Sequence, residues 1–256
     1  MSINYNHSLN IHTVTGASTA LYSLIAKEHI TSLLDVGCGS GFWLRSAIEL
    51  GIPDVLGIEG VDIPDEQLMV SPCIINKHDL TKELDLRKKF DLVLCLEVGE
   101  HLKSEFAVTL IRSLTNHGER IFFSAACPFQ PGQNHVNCQW PEYWQEKFNA
   151  LGYYCIDTLR QDIWDNSDIE WWYRQNLFEA RYDPSQAGKE PRIKKLVHPG
   201  LLELAHSCAY DDGFKKGYIA RKQSFLRGEM PYLHYVAIPF IAVTSKFYRC
   251  FSRFFQ

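Results

Sequence analysis

The sequence predicts an α/β fold in which a doubly wound, mostly parallel sheet carries helices on both faces. Three observations predict it: strand and helix patterns alternate along the chain, the buried strands are short continuous apolar runs, and a glycine-rich turn follows the first strand. Continuous apolar runs are typical of strands covered on both faces. With 256 residues, 46% of them apolar, the chain can bury a full core.

The first part of the chain contains one complete repeating unit. A helical pattern over about residues 17–28 is followed by SLLDVG at 32–37, which is an apolar run of strand length. FWLRSAIELG at 42–51 predicts a helix that stops at its final glycine, and DVLGIE at 54–59 predicts a second strand. Strand, glycine turn, helix and strand in this order form a βαβ unit.

The same alternation continues further along the chain. Strands are predicted at CIINKHDL, FDLVLCLEV and RIFFSAA, and helices at EFAVTLIRSLTNHG and PEYWQEKFNALGY. After these, YCIDTLR and RQNLFEARY are two strands joined by a polar, Trp-rich segment that is too irregular for a crossover helix. Because parallel neighbours need such a crossover, we expect an antiparallel last strand.

A change in composition near residue 183 divides the chain in two. We expect an α/β domain over residues 1–182 and a basic, aromatic and helical extension over residues 183–256. From Phe214 onward the chain has eight Lys or Arg residues and one acid, interleaved with aromatic residues. This segment is either a helix that contacts a membrane surface or a partner, or a helix packed on the domain with a charged outer face.

The composition also predicts the compartment. Eight cysteines are scattered singly without a CxxC pair, which is typical of reduced intracellular thiols. The N terminus has neither the charged nor the apolar region of a secretory signal, and the apolar stretch at 232–245 is shorter than the roughly 20 residues that span a bilayer. We therefore expect a cytoplasmic protein, with peripheral contact at the inner face of a membrane as one alternative for the extension.

The glycine turn after the first strand predicts a ligand site. Gly37, Gly39 and Gly41 stand where a doubly wound sheet brings its backbone close to a ligand. The dinucleotide fingerprint GxGxxG needs a glycine at position 42, but Phe42 stands there, and no GK[ST] follows for a P-loop. The spacing is instead GxGxG preceded by Asp35, which weakens both the dehydrogenase and the P-loop interpretation.

Two acids follow at the ends of the next strands. Glu59 ends the second strand about 20 residues on, where an acid can accept hydrogen bonds from both ribose hydroxyls. Otherwise it is a solvated carboxylate in a loop. Asp79 closes the third strand, where it could accept from an adenine amino group while Leu80 packs on the ring. The alternative for Asp79 is a turn or cap residue.

The glycine turn, these two acids and the run FDLVLCLEVGEHL, in this order over about residues 30–180, resemble the class I S-adenosylmethionine-dependent methyltransferases. The resemblance implies a Rossmann-like sheet of seven strands, with the last one antiparallel, and S-adenosylmethionine as the cofactor. The residues that it implies around the cofactor are Asp35, Gly37, Gly39, Gly41, Glu59, Asp79 and Leu80, with Glu97 or Val98 near the methionine end.

The end of the fourth strand predicts a metal or catalytic cluster. Its ExxEH run is similar to the metal-binding motif of ubiquinone-pathway O-methyltransferases and of small-RNA 3′-terminal 2′-O-methyltransferases, and the RNA enzymes add a histidine after strand five. Carboxylates and imidazoles together suit a divalent cation such as Mg²⁺ or Mn²⁺. The expected cluster consists of Glu97, Glu100, His101 and His135.

His135 and His101 are also the candidate catalytic bases if no metal binds. An imidazole titrates near neutral pH and can accept a proton from the methyl acceptor. The alternative for either histidine is a structural one, in which a backbone carbonyl satisfies the ring.

Aromatic residues in the second half predict the acceptor site. QWPEYW and IEWWYRQN fall in or beside loops expected above the sheet, and flat apolar walls with polar edges suit a sugar or an aromatic ring. The alternative is core packing against the last strands. These stretches are similar to a bacterial subgroup of the same methyltransferases. The candidate acceptor residues are Trp140, Trp144, Trp171, Trp172 and Arg174.

The sequence thus predicts an S-adenosylmethionine-dependent methyltransferase (EC 2.1.1) that methylates a hydroxyl oxygen of a small-molecule, sugar or glycoconjugate acceptor, with a divalent metal as a hypothesis. One alternative is an RNA 2′-O-methyltransferase. The net charge of −4 and the lack of a recognisable RNA module argue against a nucleic-acid partner. Another alternative is a non-catalytic partner protein that keeps the cofactor site. The sequence leaves the oligomeric state open.

Overall fold

The structure is a computed structural model that describes residues 13–25 and 29–207 and the single positions 215, 216, 219 and 223. Its main helices and strands follow the alternation predicted from the sequence. In chain order they are α1 (Val14–Ile25), β1 (Ser32–Val36), α2 (Phe42–Glu49), β2 (Asp54–Glu59), β3 (Ile75–Lys77), β4 (Leu92–Leu96), α3 (Ala107–Thr115), β5 (Arg120–Ser124), α4 (Pro141–Asn149), β6 (Tyr153–Ile156), α5 (Leu159–Ile163), α6 (Trp171–Asn176) and β7 (Phe178–Tyr182).

The seven strands form one sheet with the order β3-β2-β1-β4-β5-β7-β6. Strands β1 to β5 run parallel to one another, whereas β7 lies between β5 and β6 and is antiparallel to both. The prediction of a mostly parallel sheet with an antiparallel last strand is therefore confirmed. The strand order reverses between β1 and β4, and a doubly wound sheet binds its ligand at such a switch point, outside the carboxyl ends of the strands.

The core has one apolar layer on each face of the sheet. Side chains of β4 alternate between the layers: Val93 and Cys95 belong to one, and Leu92, Leu94 and Leu96 to the other. The first layer includes residues of α3 and α4, and the second includes residues of α1, α2, α5 and α6. All five β4 residues are buried, which explains why this strand is a continuous apolar run in the sequence.

Two details differ from the expected β-then-α alternation. The connections β2–β3 and β3–β4 contain no α-helix, and residues 60–74 form a loop with two short 3-10 turns, at Asp65–Gln67 and Pro72–Ile74. Prolines at the start of these turns oppose a continuous helix. The second difference is that the Trp-rich segment before β7, expected to be irregular, contains the short helix α6.

The chain divides into two units after Leu201, whereas the sequence predicted a boundary after residue 182. Residues 183–201 belong to the first unit because Glu190 accepts a hydrogen bond from the Gln145 side chain at 3.0 Å and Ile193 is 2% exposed in the core. Neither contact could be predicted from the sequence, because the composition of this stretch is typical of a linker. We call residues 183–201 the strap.

Little of the second unit is described. Residues 202–207 and positions 215, 216, 219 and 223 are helical, and the expected membrane or partner helix at 232–256 lies outside the described residues. None of the helices in the described part of the chain combines the length and the apolar character needed to cross a bilayer. Six cysteines, Cys38, Cys73, Cys95, Cys127, Cys138 and Cys155, are free thiols.

Candidate active site

The glycine turn after β1 has a backbone that other residues do not readily adopt. Gly37, Gly39 and Gly41 have φ angles of 80°, 53° and 86°, in the left-handed region that glycine enters without steric cost. A Cβ on Gly37 would stand 2.4 Å from Cγ2 of Val98 at the end of β4. Gly37 therefore lets the Val98 side chain lie directly against the turn, at the switch point of the sheet.

Asp35 is a buried acid directly below this turn. Its side chain is 2% exposed, and its Oδ2 atom has no hydrogen-bond partner among the described residues. Burial first, and then the charge of Glu59, raise the pKa of Asp35 to about 8. The carboxyl group is therefore protonated at neutral pH and can donate a hydrogen bond into the site.

Glu59 braces the turn from the end of β2. Its carboxylate accepts hydrogen bonds from the backbone amides of Gly39 at 2.7 Å, Gly60 at 2.7 Å and Val61 at 3.0 Å. It is 9% exposed, so it is not the solvated loop carboxylate that the sequence left open. A carboxylate with about four acceptor positions retains one for a further donor.

Asp79 and Leu80 follow β3 and differ in exposure. Asp79 is exposed, and its Oδ1 accepts hydrogen bonds from the Thr81 amide at 3.1 Å and hydroxyl at 2.6 Å. Both bonds lower the pKa of Asp79, and the bond from the hydroxyl has the larger effect. Leu80 is buried in the core. The structure therefore uses Asp79 as a turn-capping residue, and its contact with adenine remains a prediction.

Glu97, at the end of β4, is held by two carboxamides. Nε2 of Gln130 donates to its Oε2 at 2.7 Å, and Nδ2 of Asn176 donates to its Oε1 at 3.1 Å. Its φ of 56° is rare for a residue with a Cβ. Burial raises the pKa of Glu97, although the bond from Asn176 opposes the shift most strongly. The sequence did not single out Gln130.

Glu100, His101 and His135 form a cluster beside the end of β4. One ligand atom from each of the three lies within 4.8 Å of the others, and the two imidazole rings are 5.1 Å apart between centroids. Three of the four expected cluster members thus come together. Glu97 is outside this group, because Gln130 and Asn176 hold its carboxylate instead.

The Glu100 carboxylate is the most unusual group in this cluster. It is 1% exposed, and neither oxygen has a hydrogen-bond partner of good geometry among the described residues. Burial first, and then the charge of Glu97, raise the pKa of Glu100 well above its ordinary value. The backbone amides of Glu100 and Ala126 and the Glu97 carboxyl group lie near it, and a buried carboxyl whose hydrogen bonds are this poor is costly unless a ligand compensates it.

His135 is oriented by its backbone contact. Its Nδ1 lies 3.0 Å from the carbonyl oxygen of Gln130. A carbonyl oxygen only accepts hydrogen bonds, so Nδ1 carries the proton and Nε2 is the basic nitrogen. Burial lowers the pKa of His135, against the effect of this bond. The ring is therefore neutral at neutral pH and can bind a cation or accept a proton.

Residues 125–140, which we call the β5–α4 loop, carry His135 and are tied to β4. The backbone amides of Val136 and Asn137 both donate to the carbonyl oxygen of Glu100, at 2.8 and 3.0 Å. Gly132 lies against the His135 ring so closely that a Cβ there would stand 2.0 Å from Nε2. The Pro131-Gly132 pair indicates a turn in the sequence, but nothing local indicates that it seats a histidine.

One of the predicted acceptor residues is buried, and the other four are half-buried. Trp144 is 1% exposed and packs on Gly99 and Phe123, so its expected place in the acceptor wall is wrong and the core alternative holds. Trp171 packs its indole on Gly200. Nη1 of Arg174 donates to the carbonyl oxygen of Trp164 at 3.1 Å.

The two remaining tryptophans of the predicted acceptor wall, Trp140 and Trp172, are half-buried. Trp140 lies immediately before α4, and Trp172 packs against the apolar layer that includes α1 and α2. Contact of Trp140, Trp171, Trp172 and Arg174 with an acceptor remains a prediction.

Comparison with known proteins agrees with this geometry. The sequence matches a family described as a methyltransferase domain over residues 14–181. No curated protein matches it. A similar solved structure is the sugar N-methyltransferase KedS8 from Streptoalloteichus sp ATCC 53650, with a TM-score of 0.50 and 16% identity over 67% of this chain and 88% of that chain.

Two further solved structures show a weaker likeness. CalS10, an amino pentose methyltransferase from Micromonospora echinaspora, has a TM-score of 0.47 and 16% identity over 67% of this chain and 92% of that chain. The glycopeptide N-methyltransferase MtfA has a TM-score of 0.35 and 17% identity over 44% of this chain. The chain spans about half of MtfA, 54% of its length. Because the family match covers more than half of the chain, and the sheet has the seven strands and the antiparallel last strand that the resemblance implies, this chain belongs to the class I S-adenosylmethionine-dependent methyltransferases.

Proposed function

We propose that this enzyme transfers the methyl group of S-adenosylmethionine to a hydroxyl oxygen of a small, sugar-type acceptor, assisted by a divalent cation. The observation that carries the proposal is the cluster of Glu100, His101 and His135, whose ligand atoms lie within 4.8 Å of one another. The cluster follows directly from β4, whose end packs on the glycine turn through Val98 and Gly37. Methyl donor and cation would therefore meet at one edge of the sheet.

The residues at the switch point fit S-adenosylmethionine. The glycine turn lets backbone lie against the ligand, the protonated Asp35 can donate a hydrogen bond, and Glu59 retains an acceptor position for a ribose hydroxyl. When bound, the cofactor would supply a methyl group on a positively charged sulfur, and the acceptor oxygen would attack the methyl carbon in line with the breaking carbon–sulfur bond. The contribution of the chain is to hold donor and acceptor in that line.

The cluster also fits a divalent cation. The Glu100 carboxyl group, with the imidazoles of His101 and His135 beside it, offers one oxygen and two nitrogen ligands once the carboxyl has lost its proton, and this set suits Mn²⁺ and comparable ions. Glu100, His101 and His135 would hold the ion, whose charge lowers the pKa of a bound hydroxyl group. The neutral Nε2 of His135 can alternatively accept the acceptor proton itself.

An oxygen acceptor follows from the same chemistry. A hydroxyl group is a poor nucleophile until its proton is removed, whereas an unprotonated amine is already nucleophilic. A site that combines a cation with a neutral imidazole therefore suits oxygen better than nitrogen. A sugar-type acceptor is proposed because neighbouring hydroxyl groups can bind one cation together. The net charge of −4 makes RNA the weaker candidate.

The test is a transfer assay with labelled S-adenosylmethionine against sugars, sugar nucleotides, amino sugars, phenols and short RNAs, with Mn²⁺ or with a chelator. We expect methylation of a sugar hydroxyl that the chelator abolishes. Methylation of only amines or RNA, or full activity with the chelator, would contradict the proposal. Calorimetry with S-adenosylhomocysteine separates a cofactor-binding protein without activity from an unfolded one.

A matched variant tests the cation directly. Glu100→Gln keeps the shape of the side chain but removes its charge, so we expect it to weaken Mn²⁺ binding by roughly 10–100-fold and to leave S-adenosylhomocysteine binding unchanged. Electron paramagnetic resonance of free Mn²⁺ measures the first and calorimetry the second. Equal Mn²⁺ affinity in the variant and the wild type would remove the cation from the proposal.

A further inference from the structure

Phe129 has the largest exposure of any large apolar side chain in the described part of the chain. It is 91% exposed, and it lies in the β5–α4 loop that also carries His135. The fold therefore gains almost no buried apolar area from this ring. A single exposed apolar residue is ordinary on a protein surface, so exposure alone carries no inference.

The backbone of Phe129 makes this exposure significant. The amide of Gln130 donates to the carbonyl oxygen of Cys127 at 3.1 Å, which closes a turn with Pro128 second and Phe129 third. Phe129 has a φ of 71°. This is the arrangement of a type II turn, whose third position favours glycine or asparagine because other side chains are strained there. A phenylalanine thus occupies a glycine position without being buried in exchange.

The exposure of Phe129 does not come from a loose loop. On either side of it, Cys127 is 1% exposed and Gln130 is 7% exposed, and the Gln130 side chain is bonded to Glu97. Further along, Asn137 is 3% exposed and its amide is bonded to the carbonyl oxygen of Glu100. The ring therefore projects from a segment that is buried at Cys127 before it and bonded to the end of β4 through Gln130 and Asn137 after it.

We propose that Phe129 is a specificity-determining residue whose ring packs on the apolar C–H face of a sugar-type acceptor. The inference rests on the proposed function, because it needs an acceptor whose hydroxyl group lies at the cluster with His135. An acceptor held there lies beside the loop from which Phe129 projects. Strained residues that persist without a structural benefit cluster at ligand sites, and aromatic rings pack well on flat apolar faces.

The test compares three variants with the sugar that the transfer assay identifies as the best acceptor. Phe129→Gly removes the ring and relieves the turn, Phe129→Tyr keeps the ring, and Tyr22→Ala removes another exposed aromatic residue, on α1. For each we would measure kcat, the acceptor KM, the Kd of S-adenosylhomocysteine and the midpoint of thermal unfolding.

We expect Phe129→Gly to raise the acceptor KM roughly tenfold. Its kcat, its affinity for S-adenosylhomocysteine and its unfolding midpoint should be no lower than in the wild type, since glycine suits the turn. Phe129→Tyr and Tyr22→Ala should keep the wild-type KM. An unchanged KM in Phe129→Gly, or a lower unfolding midpoint with weaker cofactor binding, would overturn the inference. If the wild type methylates no sugar, the proposed function fails and the inference with it.

Discussion

At the scale of single residues, the backbone of this enzyme is strained where its chemistry is expected. In the part of the chain that the structure describes, four non-glycine residues have positive φ angles, and three of them, Glu97, Phe129 and Asn134, lie at the end of β4 or in the β5–α4 loop. Such conformations persist only where surrounding contacts hold them. The contacts of Glu97 with two carboxamides are an example. Two predictions belong to this scale, because each depends on one side chain.

Asp35 should make stability depend on pH. Its pKa is raised to about 8 in the folded state, against an ordinary value of 3.8, so between these values the unfolded carboxyl ionises while the folded one stays protonated. Relative to Asp35→Asn, the cofactor-free wild type should therefore lose up to about 1.4 kcal/mol of unfolding free energy per pH unit in this window. Above pH 8 the difference should level off. Urea unfolding from pH 4 to 9 measures it, and parallel curves for the two proteins would contradict it.

Gly132→Ala should displace His135 without changing any candidate ligand. A Cβ at this position would stand 2.0 Å from Nε2 of His135, so the ring has to turn away. We expect Mn²⁺ binding to weaken by roughly 10–100-fold, as when a contact that positions a ligand is lost. Val136→Ala, at an exposed position of the same loop, is the matched control. If both variants bind Mn²⁺ as the wild type does, His135 is not a ligand.

At the scale of elements, hydrogen bonds between side chains connect β4, the β5–α4 loop and α6. Asn176 donates hydrogen bonds to Glu97 and to Oε1 of Gln130, the latter at 2.8 Å. The Gln175 side chain accepts a hydrogen bond from the backbone amide of His198, in the strap, at 2.8 Å. These four segments are therefore joined beneath the site through buried polar groups. A network of this kind is stabilising only while every member keeps its partners.

Removal of one carboxamide should test this network. Asn176→Ala removes the donor to Oε1 of Glu97 and to Oε1 of Gln130, while the bond from Gln130 to Glu97 remains. Because two buried oxygens each lose a hydrogen bond, we expect a loss of about 1–3 kcal/mol in unfolding free energy. Asn116→Ala, which removes an exposed bond to Glu83, should cost less than about 0.5 kcal/mol. Urea unfolding of both variants gives the comparison. In a double-mutant cycle, Asn176→Ala and Gln130→Ala should not be additive, and additivity would mean that the two residues act separately.

At the scale of the whole molecule, the site depends on the order of the strands. β4 lies beside β1 although β2 and β3 separate them in sequence, and this pairing brings Val98 against Gly37. The strap completes the first unit beside α4 and β6. There the Glu190 carboxylate also accepts hydrogen bonds from the Asn149 side chain at 2.6 Å and from the backbone amide of Cys155 at 3.1 Å. The strap is thus part of the methyltransferase unit rather than a linker.

Truncation should reveal the contribution of the strap. A chain that ends at residue 182 loses the contacts of Glu190 and the buried side chain of Ile193, whereas a chain that ends at residue 201 keeps them. We expect a lower unfolding midpoint for the shorter chain only. Thermal unfolding followed by circular dichroism measures it. Equal unfolding midpoints for the two truncations would mean that the strap does not stabilise the first unit, and would favour a domain boundary at residue 182.

Local features of the sequence were sufficient for the frame of the molecule and for the position of the donor site. Strand patterns predicted the place of all seven strands, and β1, β4 and β5 are apolar runs because both of their faces are buried. The ranges predicted for β6 and β7 were too long, since they run into α5 and α6. The glycine turn was also readable, because only glycine adopts its φ angles easily. The sequence could further place His135 in the loop after β5, since loop position follows from the order of the elements.

The sequence alone determined the fold class, the family and the glycine turn, because each depends on neighbours along the chain. Only the tertiary structure decided that Trp144 is core, that residues 183–201 pack on the first unit, and that Glu97 is held by Asn176, 79 positions away. It also brought Glu100, His101 and His135 together and left Glu97 outside their cluster. These outcomes depend on which distant surfaces meet, and packing between elements leaves no pattern in a local stretch of sequence.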